Sequence, residues 1–345
     1  MFLAEIAARY GPIVRFDLPW RSFVMLNDAE QIKDLLVTQQ HAFHKSEGGR
    51  ALRWLLGEGL LTSEDPLHRQ MRRIVQPAFH RDRIAEYAQV MAACARDWMQ
   101  ARRNGEEIDM SASMSELTLR IASQTLFGVD ASTQARDVRD ALQDTMETYP
   151  LAIGPIGAMR RRLRFLESTR RFNDARSRLD AILFRLIEER RRDPAAHSDA
   201  LSLLLSAEDP ETGYRLSNEQ VRDEAMTLFL AGHETTANAL LWTWYLLARN
   251  PDVESRLHAE IETGSHDYAR RVLREAMRLY PPAWIVGREA QRDVTLTGGY
   301  HIRAKTTVFV CQLVLHRSER YYADPMRFNP DRWLDEEIPP FSYVP

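Results

Sequence analysis

The run SNEQVRDEAMTLFLAGHETTANALLWTWYLLARN, residues 217 to 250, decides how the rest of the chain is read. Ser217 with Gln220 three positions on has the form of a capping box, in which each side chain bonds the other's backbone N–H. Asn250-Pro251 closes the run with a pair that stops one helix and can start the next. Between these signals the spacing predicts a single helix, roughly 50 Å long at 1.5 Å rise per residue. Its flanks are apolar on nearly every face, with Met226, Leu228, Phe229 and Leu230 before the centre and Leu240, Leu241, Trp242, Trp244 and Tyr245 after it. Such a helix is expected to be buried along much of its length, so Ala231-Gly232-His233-Glu234-Thr235-Thr236 at its midpoint needs a reason. Gly232 lets something flat approach the backbone, and a threonine hydroxyl can take over a carbonyl and open the helical ladder. The result is a groove beside an acid, where Glu234 and Thr235 can pass protons to a small molecule. The alternative is a packing glycine in a core helix with a satisfied glutamate.

Composition narrows the setting. A chain of 345 residues with 44% hydrophobic and 28% charged residues is ordinary globular protein, long enough for a large core. A net charge of −3 provides no field to gather nucleic acid. No apolar run reaches the length of a membrane span, so a transmembrane anchor is not expected. The start, Met1-Phe2-Leu3-Ala4-Glu5, lacks the features of a signal peptide, and Cys94 and Cys311 make no disulfide framework. A soluble, reducing, cytoplasmic setting and a monomer are the expectation. Only Lys33, Lys45 and Lys305 are lysines, which reads as a genomic bias toward arginine.

Outward from the long helix, Phe2 to Tyr10 reads as a helix broken by Gly11-Pro12, and Ile13 to Phe16 with Phe23 to Leu26 as strands. A short helix over Ala29 to Thr38 follows, then an apolar loop region from Phe43 to Leu61 of the kind that lines a pocket, or simply packs. His68 and Arg72 lie four apart on one helical face; the pair is either an anion clamp or a solvated basic turn. Ile84 to Leu126 is helical, with Cys94 as a small core residue. Val138 to Arg192 is helical around a loop at Tyr149 to Pro155, and its many arginines read as solvated faces. After the long helix come helices over Asp252 to Glu262 and Asp267 to Tyr280. On the second, Glu275 and Arg278 share a face, a pairing too common to mean much alone. Val294 to Leu296, Tyr300 to Ile302 and Thr306 to Val310 read as strands, and His316 to Pro345 as irregular.

Taken together, these residues resemble a cytochrome P-450, a haem-thiolate monooxygenase. Ala231 to Thr236 is similar to that family's oxygen-binding helix signature, Glu275-x-x-Arg278 to its Glu-x-x-Arg motif, and Pro330-Asp331-Arg332-Trp333 to its Pro-x-Arg-aromatic motif. The order of the three, with Tyr280-Pro281-Pro282 and His316-Arg317 between them, carries the resemblance from about residue 2 to the end. It implies a mainly α fold with small β-sheets, residues 1 to 345 forming one domain. It implies haem b (iron protoporphyrin IX), an apolar small-molecule substrate, and electrons from a ferredoxin, flavodoxin or reductase-type donor. By the same resemblance Glu234, Thr235 and Gly232 serve oxygen chemistry, and Ala231, His68, Arg72 and Arg288 hold the haem. Glu275, Arg278 and Arg332 form a structural ion-pair triad, and Phe229, Leu230, Trp284, Ile285 and Val286 line the substrate cavity.

The departures bear on activity. The family's axial cysteine lies in a glycine-rich loop after the Pro-x-Arg-aromatic motif, and the residues here run to Phe341-Ser342-Tyr343-Val344-Pro345, where that loop is expected to begin. Cys94 and Cys311 lie outside any such loop, so no metal ligand is assigned, and the fold is expected to be C-terminally incomplete. Without thiolate donation O–O cleavage loses its electronic push. A catalytically dead fragment that at most binds haem weakly or an apolar ligand is therefore the alternative. Arg303-Ala304-Lys305-Thr306 stands where the family has Pro-Ala-Gly-Thr, which would cost about 1 kcal/mol if position 305 requires positive φ.

Overall fold

A computed structural model describes residues 2–19, 21–128, 167–194, 199–335 and 337–345. The expected loop at Tyr149 to Pro155, and the helix from Val138 as far as residue 166, lie outside the described residues. The chain divides into two compact units, one of residues 1–47 with 235–345 and one of residues 48–234.

The first unit holds both sheets. Helix α1 (Phe2–Tyr10) precedes a hairpin of β1 (Ile13–Leu18) and β2 (Arg21–Leu26), and α2 (Ala29–Lys33) follows, extended by a π-helical turn to Thr38. β3 (Phe43–Lys45) pairs antiparallel with β4 (Val286–Ala290), β4 pairs antiparallel with β7 (Thr307–Val310), and β7 runs parallel to β2. The order β1-β2-β7-β4-β3 puts β7 in the middle. All four of its residues are buried, which is why Thr307-Val308-Phe309-Val310 reads as a continuous run without alternation. The separate hairpin of β5 (Val294–Leu296) and β6 (Tyr300–Ile302) turns through Gly298 and Gly299, both at positive φ, where a side chain would be strained.

The second unit is helical. α3 (Leu67–Val75) leads to α4 (Arg81–Gln100), α5 (Met110–Phe127), α6 (Glu167–Arg192) and α7 (Ala200–Ser206). The helical stretch expected from Ile84 to Leu126 is thus two helices, separated at 101–109 by a turn through Gly105. Asp109 caps α5 by accepting from Ala112 N–H at 3.0 Å, and Gly128 ends it in the left-handed conformation. The expected apolar loop from Phe43 to Leu61 instead contains β3 and two short helices, Glu47–Ala51 and Arg53–Leu56. Leu55 and Leu56 enter the core of Met71, Ile74, Phe127, Phe172 and Phe229, so that part of the run packs rather than lining a pocket.

Helix α8 (Asn218–Arg249) belongs to both units by sequence. Its capping box is formed: Ser217 N–H donates to Gln220 Oε1 at 3.0 Å, and Gln220 N–H donates to Ser217 Oγ at 3.3 Å. Pro251 begins α9 (Pro251–Thr263), and α10 (Asp267–Leu279) buries Tyr268, Val272, Ala276 and Leu279, a stripe at helical spacing. Two expectations about α8 need correction. The helix is regular across Thr235 and Thr236, so the recess at its centre comes from the missing side chain of Gly232, not from an opened ladder. Its first half is buried but its second is not, since Trp244 and Tyr245 are 44% and 43% exposed.

Candidate functional site

The centre of α8 is an open polar window following packed turns. Phe229 is buried and Leu230 half-buried, then Ala231, Gly232, Glu234, Thr235 and Thr236 are all exposed before Ala237 closes the window. A Cβ at Gly232 would meet nothing within 4 Å, so the space beside this backbone is free for a flat group. Surrounding protein raises the pKa of the Glu234 carboxyl, so it holds a proton more readily than a free glutamate.

On α3 the basic turn sorts itself by partner. Arg73 makes a two-pronged contact to buried Asp209, Nε to Oδ1 at 3.1 Å and Nη2 to Oδ2 at 2.9 Å. That contact drives the Asp209 carboxyl far below the usual range. Arg69 pairs with Asp65 at 2.9 Å, and the His68 ring is 3.8 Å from the same carboxylate. Arg72 is exposed and has no acidic partner among the described residues, which makes it the cation of this turn left for a ligand. Arg288 lies in the other unit, half-buried on β4 opposite Lys45 and Val308, with Nη1 donating to Gly287 O at 3.0 Å.

Glu275, Arg278 and Arg332 are brought together in the interior of the first unit. Glu275 and Arg278 are fully buried and joined by two bonds, Nε to Oε2 at 2.9 Å and Nη2 to Oε1 at 2.8 Å. Arg332 Nε donates to Glu275 Oε1 at 3.3 Å. Sequence reasoning missed three further participants. Trp333 Nε1–H donates to Glu275 Oε2 at 3.1 Å, the ring of Tyr322 lies 4.9 Å from the Arg278 guanidinium, and the backbone carbonyl of His316 accepts from Arg278 Nη1 at 2.6 Å. Trp333 is the aromatic residue of its motif, a signal that was present; nothing in the sequence points to Tyr322. Burial beside Arg278 depresses the His316 ring to about 3, and burial pushes the Tyr322 hydroxyl up to about 12.

Among the expected pocket residues, Trp284 and Ile285 are 49% and 38% exposed, and Val286 opens β4 half-buried. Large apolar side chains left in the open are candidates for holding an apolar ligand. Phe229 is a correction. It is 2% exposed, with its ring 5.4 Å from that of Phe127, and so belongs to the core of the second unit. Leu230 packs at the edge of the same core.

The family model of cytochrome P450 matches residues 1–345. The chain belongs to the cytochrome P450 family. Among its relatives is the cyclooctatin synthase of Streptomyces melanosporofaciens, 36% identical over 100% of this chain and 78% of that protein. Another is the cyclooctat-9-en-7-ol 5-monooxygenase of the same organism, 36% identical over 97% of this chain and 75% of that protein. A putative cytochrome P450 135A1 of Mycobacterium tuberculosis is 30% identical over 100% and 77%. Membership brings with it a haem cofactor, a substrate and a redox partner. Among the described residues no helix is long and apolar enough to cross a membrane.

The described residues fit the porphyrin better than its iron. The free space at Gly232 suits a flat macrocycle, and Arg72 suits one of its carboxylates. Neither cysteine suits the metal. Cys94 is buried and donates to Gln124 Oε1 at 3.0 Å, and burial pushes the thiol of Cys311 up, away from the thiolate form.

Proposed function

We propose that this P450 inserts one atom of dioxygen into an apolar organic substrate, using electrons from a separate ferredoxin, flavodoxin or reductase-type donor. The reading rests on one observation above the others: exposed Gly232, Glu234, Thr235 and Thr236 in the middle of a long helix whose preceding turns are packed, with open space beside the glycine. Haem b bound there would supply the activation of dioxygen. His68 and Arg72 would hold a carboxylate of it, and Ala231 with Gly232 would face the ring. Glu234, whose carboxyl takes up a proton more readily than a free glutamate, would deliver protons, and the Thr235 hydroxyl would pass them on. Trp284, Ile285 and Val286 would give the substrate an apolar wall. Glu275, Arg278 and Arg332 would touch neither substrate nor cofactor; they hold the chain around them in place.

Two relatives are named for cyclooctatin and for cyclooctat-9-en-7-ol, a cyclic alkenol by its name, and we take this class as the first to test. The assay incubates the haem-loaded protein with cyclooctat-9-en-7-ol, a ferredoxin and its reductase under 18O2, and analyses products by mass spectrometry. A product heavier by one 18O supports the reading. Absence of the label from every apolar substrate tried, together with no thiolate-type Soret band in the reduced carbon monoxide complex, favours the alternative of a catalytically dead chain that only binds an apolar ligand.

A further inference from the structure

The first unit contains a cavity of about 720 Å³, within the size range of small-molecule sites, and none of the residues assigned above to haem or substrate lines it. Ala4, Ala7 and Ala8 of α1, continued by Gly11, give it one wall: the i, i+3, i+4, i+7 spacing sets four small residues on one helical face and leaves room beside it. Leu313 and Val314 add apolar surface.

Two polar side chains of the lining are incompletely used by the fold. Arg317 is half-buried; its Nε and Nη2 donate to Leu279 O at 3.2 and 2.5 Å, and its guanidinium lies 5.1 Å from the Tyr280 ring. Its third nitrogen, Nη1, has no hydrogen bond to the protein and is not sealed from solvent. Among the described residues no carboxylate pairs with this guanidinium, and burial, with repulsion from Arg278, lowers its pKa. A carbonyl at the end of α10 and an aromatic face answer its full charge only with partial ones. Asn27 is 8% exposed, its N–H is held by Pro12 O at 2.7 Å, and neither Oδ1 nor Nδ2 of its side chain has a partner. A buried amide without partners is a cost that folds rarely leave standing. Both of its atoms are covered as the side chain stands, so a change of rotamer is needed for the amide to meet a ligand.

We propose that this cavity binds an amphiphilic monocarboxylate, its apolar chain along the alanine face of α1 with Leu313 and Val314, its carboxylate accepting from Arg317 Nη1 and from the reoriented Asn27 amide. Two donors, one of them charged, match the two oxygens of a carboxylate. The other charged groups of the lining do not oppose this. Arg320 is already matched by Asp28 in an ion pair, and Glu319 is exposed to water, which screens its repulsion. A dianionic phosphate would bring a second charge for which the cavity has no free cation.

Calorimetric titration of the full chain with decanoate and with decan-1-ol tests this. Decanoate should bind about tenfold more tightly than the alcohol, and Arg317→Gln should remove about that tenfold while leaving the alcohol unchanged. Equal affinities for acid and alcohol, or no decanoate binding at millimolar concentration, would overturn the proposal. Should Arg317→Gln fail to fold, Ala8→Trp decides: the position is exposed on α1, and the indole fills the cavity without touching the bonds to Leu279. It should keep the ligand-free thermal midpoint and lose decanoate binding, and a titration with wild-type stoichiometry and affinity would place the ligand elsewhere and overturn the site. In 15N-labelled protein the side-chain amide pair lost in Asn27→Ser should shift with decanoate; a pair that stays still at saturation would remove Asn27 from the site. None of these outcomes depends on bound haem or on the monooxygenase reading.

Discussion

Lys305 is held at φ +66°, in the left-handed region where a Cβ crowds the following carbonyl. The turn it occupies is otherwise well made. Its N–H donates to Ala290 O at 2.7 Å, Thr306 N–H donates to Arg303 O at 3.2 Å, and Ala304 N–H donates to Asp293 Oδ1 at 2.8 Å. None of these bonds needs the lysine side chain, which is exposed. Lys305→Gly therefore removes a left-handed cost of about 1–2 kcal/mol without removing a contact. Against this stands the greater freedom of glycine in the unfolded chain, about 0.4–1 kcal/mol. The net expectation is stabilisation by about 0.5–1 kcal/mol, a rise of about 1–4 °C in the midpoint for a unit of this size. Urea denaturation should show a higher midpoint with an unchanged m-value. Lys305→Ala is the control: it deletes the same side chain but keeps the Cβ, so it should give none of this gain. If the alanine variant gained as much as the glycine variant, or if the glycine variant lost stability, the argument from backbone strain would be wrong.

Three further outcomes are expected. Glu275→Gln leaves two buried guanidinium groups facing a neutral amide, and should cost about 3–5 kcal/mol of stability in denaturant titration. Gly232→Ala adds a Cβ into open space within a regular helix, so the protein should become more stable by about 1 kcal/mol. The same methyl occupies the notch, so haem content, read from the Soret absorbance per protein, should fall; unchanged haem content would place the ring elsewhere. His316 is fully buried, and its ring is depressed from 6.5 to about 3. Its neutral form is the one that fits the fold, so its contribution is complete above pH 6.5. Below that the unfolded chain takes up a proton that the folded chain refuses. Stability should then drop by up to about 1.4 kcal/mol per pH unit down to about pH 3. His316→Gln, which still offers an acceptor to the Val344 N–H now bonded at 2.9 Å to Nε2, should flatten that slope.

What could be read in advance depended on how local its cause is. The start of α8 was legible because a capping box is written in four residues, and its end because Asn250-Pro251 stops a helix by covalent geometry. The strain at Lys305 was legible for the same reason, once a lysine was noticed where the family has glycine. The burial of α8 was read less well. Apolar residues all around a helix say that it has neighbours but not where, so Phe229 looked as suited to a ligand as to Phe127, which it touches. The partner of His233 was invisible, since Thr118 is 115 positions away and reads as one more helical residue. Sequence likewise gives no hint that Arg73 would be taken by Asp209 while Arg72 has no acid among the described residues, because neighbouring arginines in a helix point to different faces.

The Glu275 network differs from an ordinary buried ion pair in a way that explains the irregular chain around it. One carboxylate faces two guanidinium groups, and the excess positive charge is met by the main chain. Arg278 also donates to His316 O, Pro325 O and Arg327 O, at 2.6, 2.8 and 3.3 Å. Arg332 donates to Ala323 O and Asp324 O, at 2.7 and 3.3 Å. From the other side Asn329 N–H donates to Glu275 Oε1 at 3.1 Å. Between the short helices Gln312–Leu315 and Arg332–Asp335, residues 316–331 contain no helix or strand, and Asp324 within them has positive φ. Its carbonyls would be orphaned inside the protein without these donors, at about 1–3 kcal/mol each. The two arginines therefore do for this stretch what a hydrogen-bond ladder does for a helix. A simple buried pair can often be exchanged for apolar residues of equal volume at no loss. Here the exchange would fill the space and still leave four carbonyls, those of His316, Ala323, Pro325 and Arg327, without these donors, while Asp324 O would keep only the Arg327 N–H at 3.0 Å, so the charges serve the backbone as well as each other.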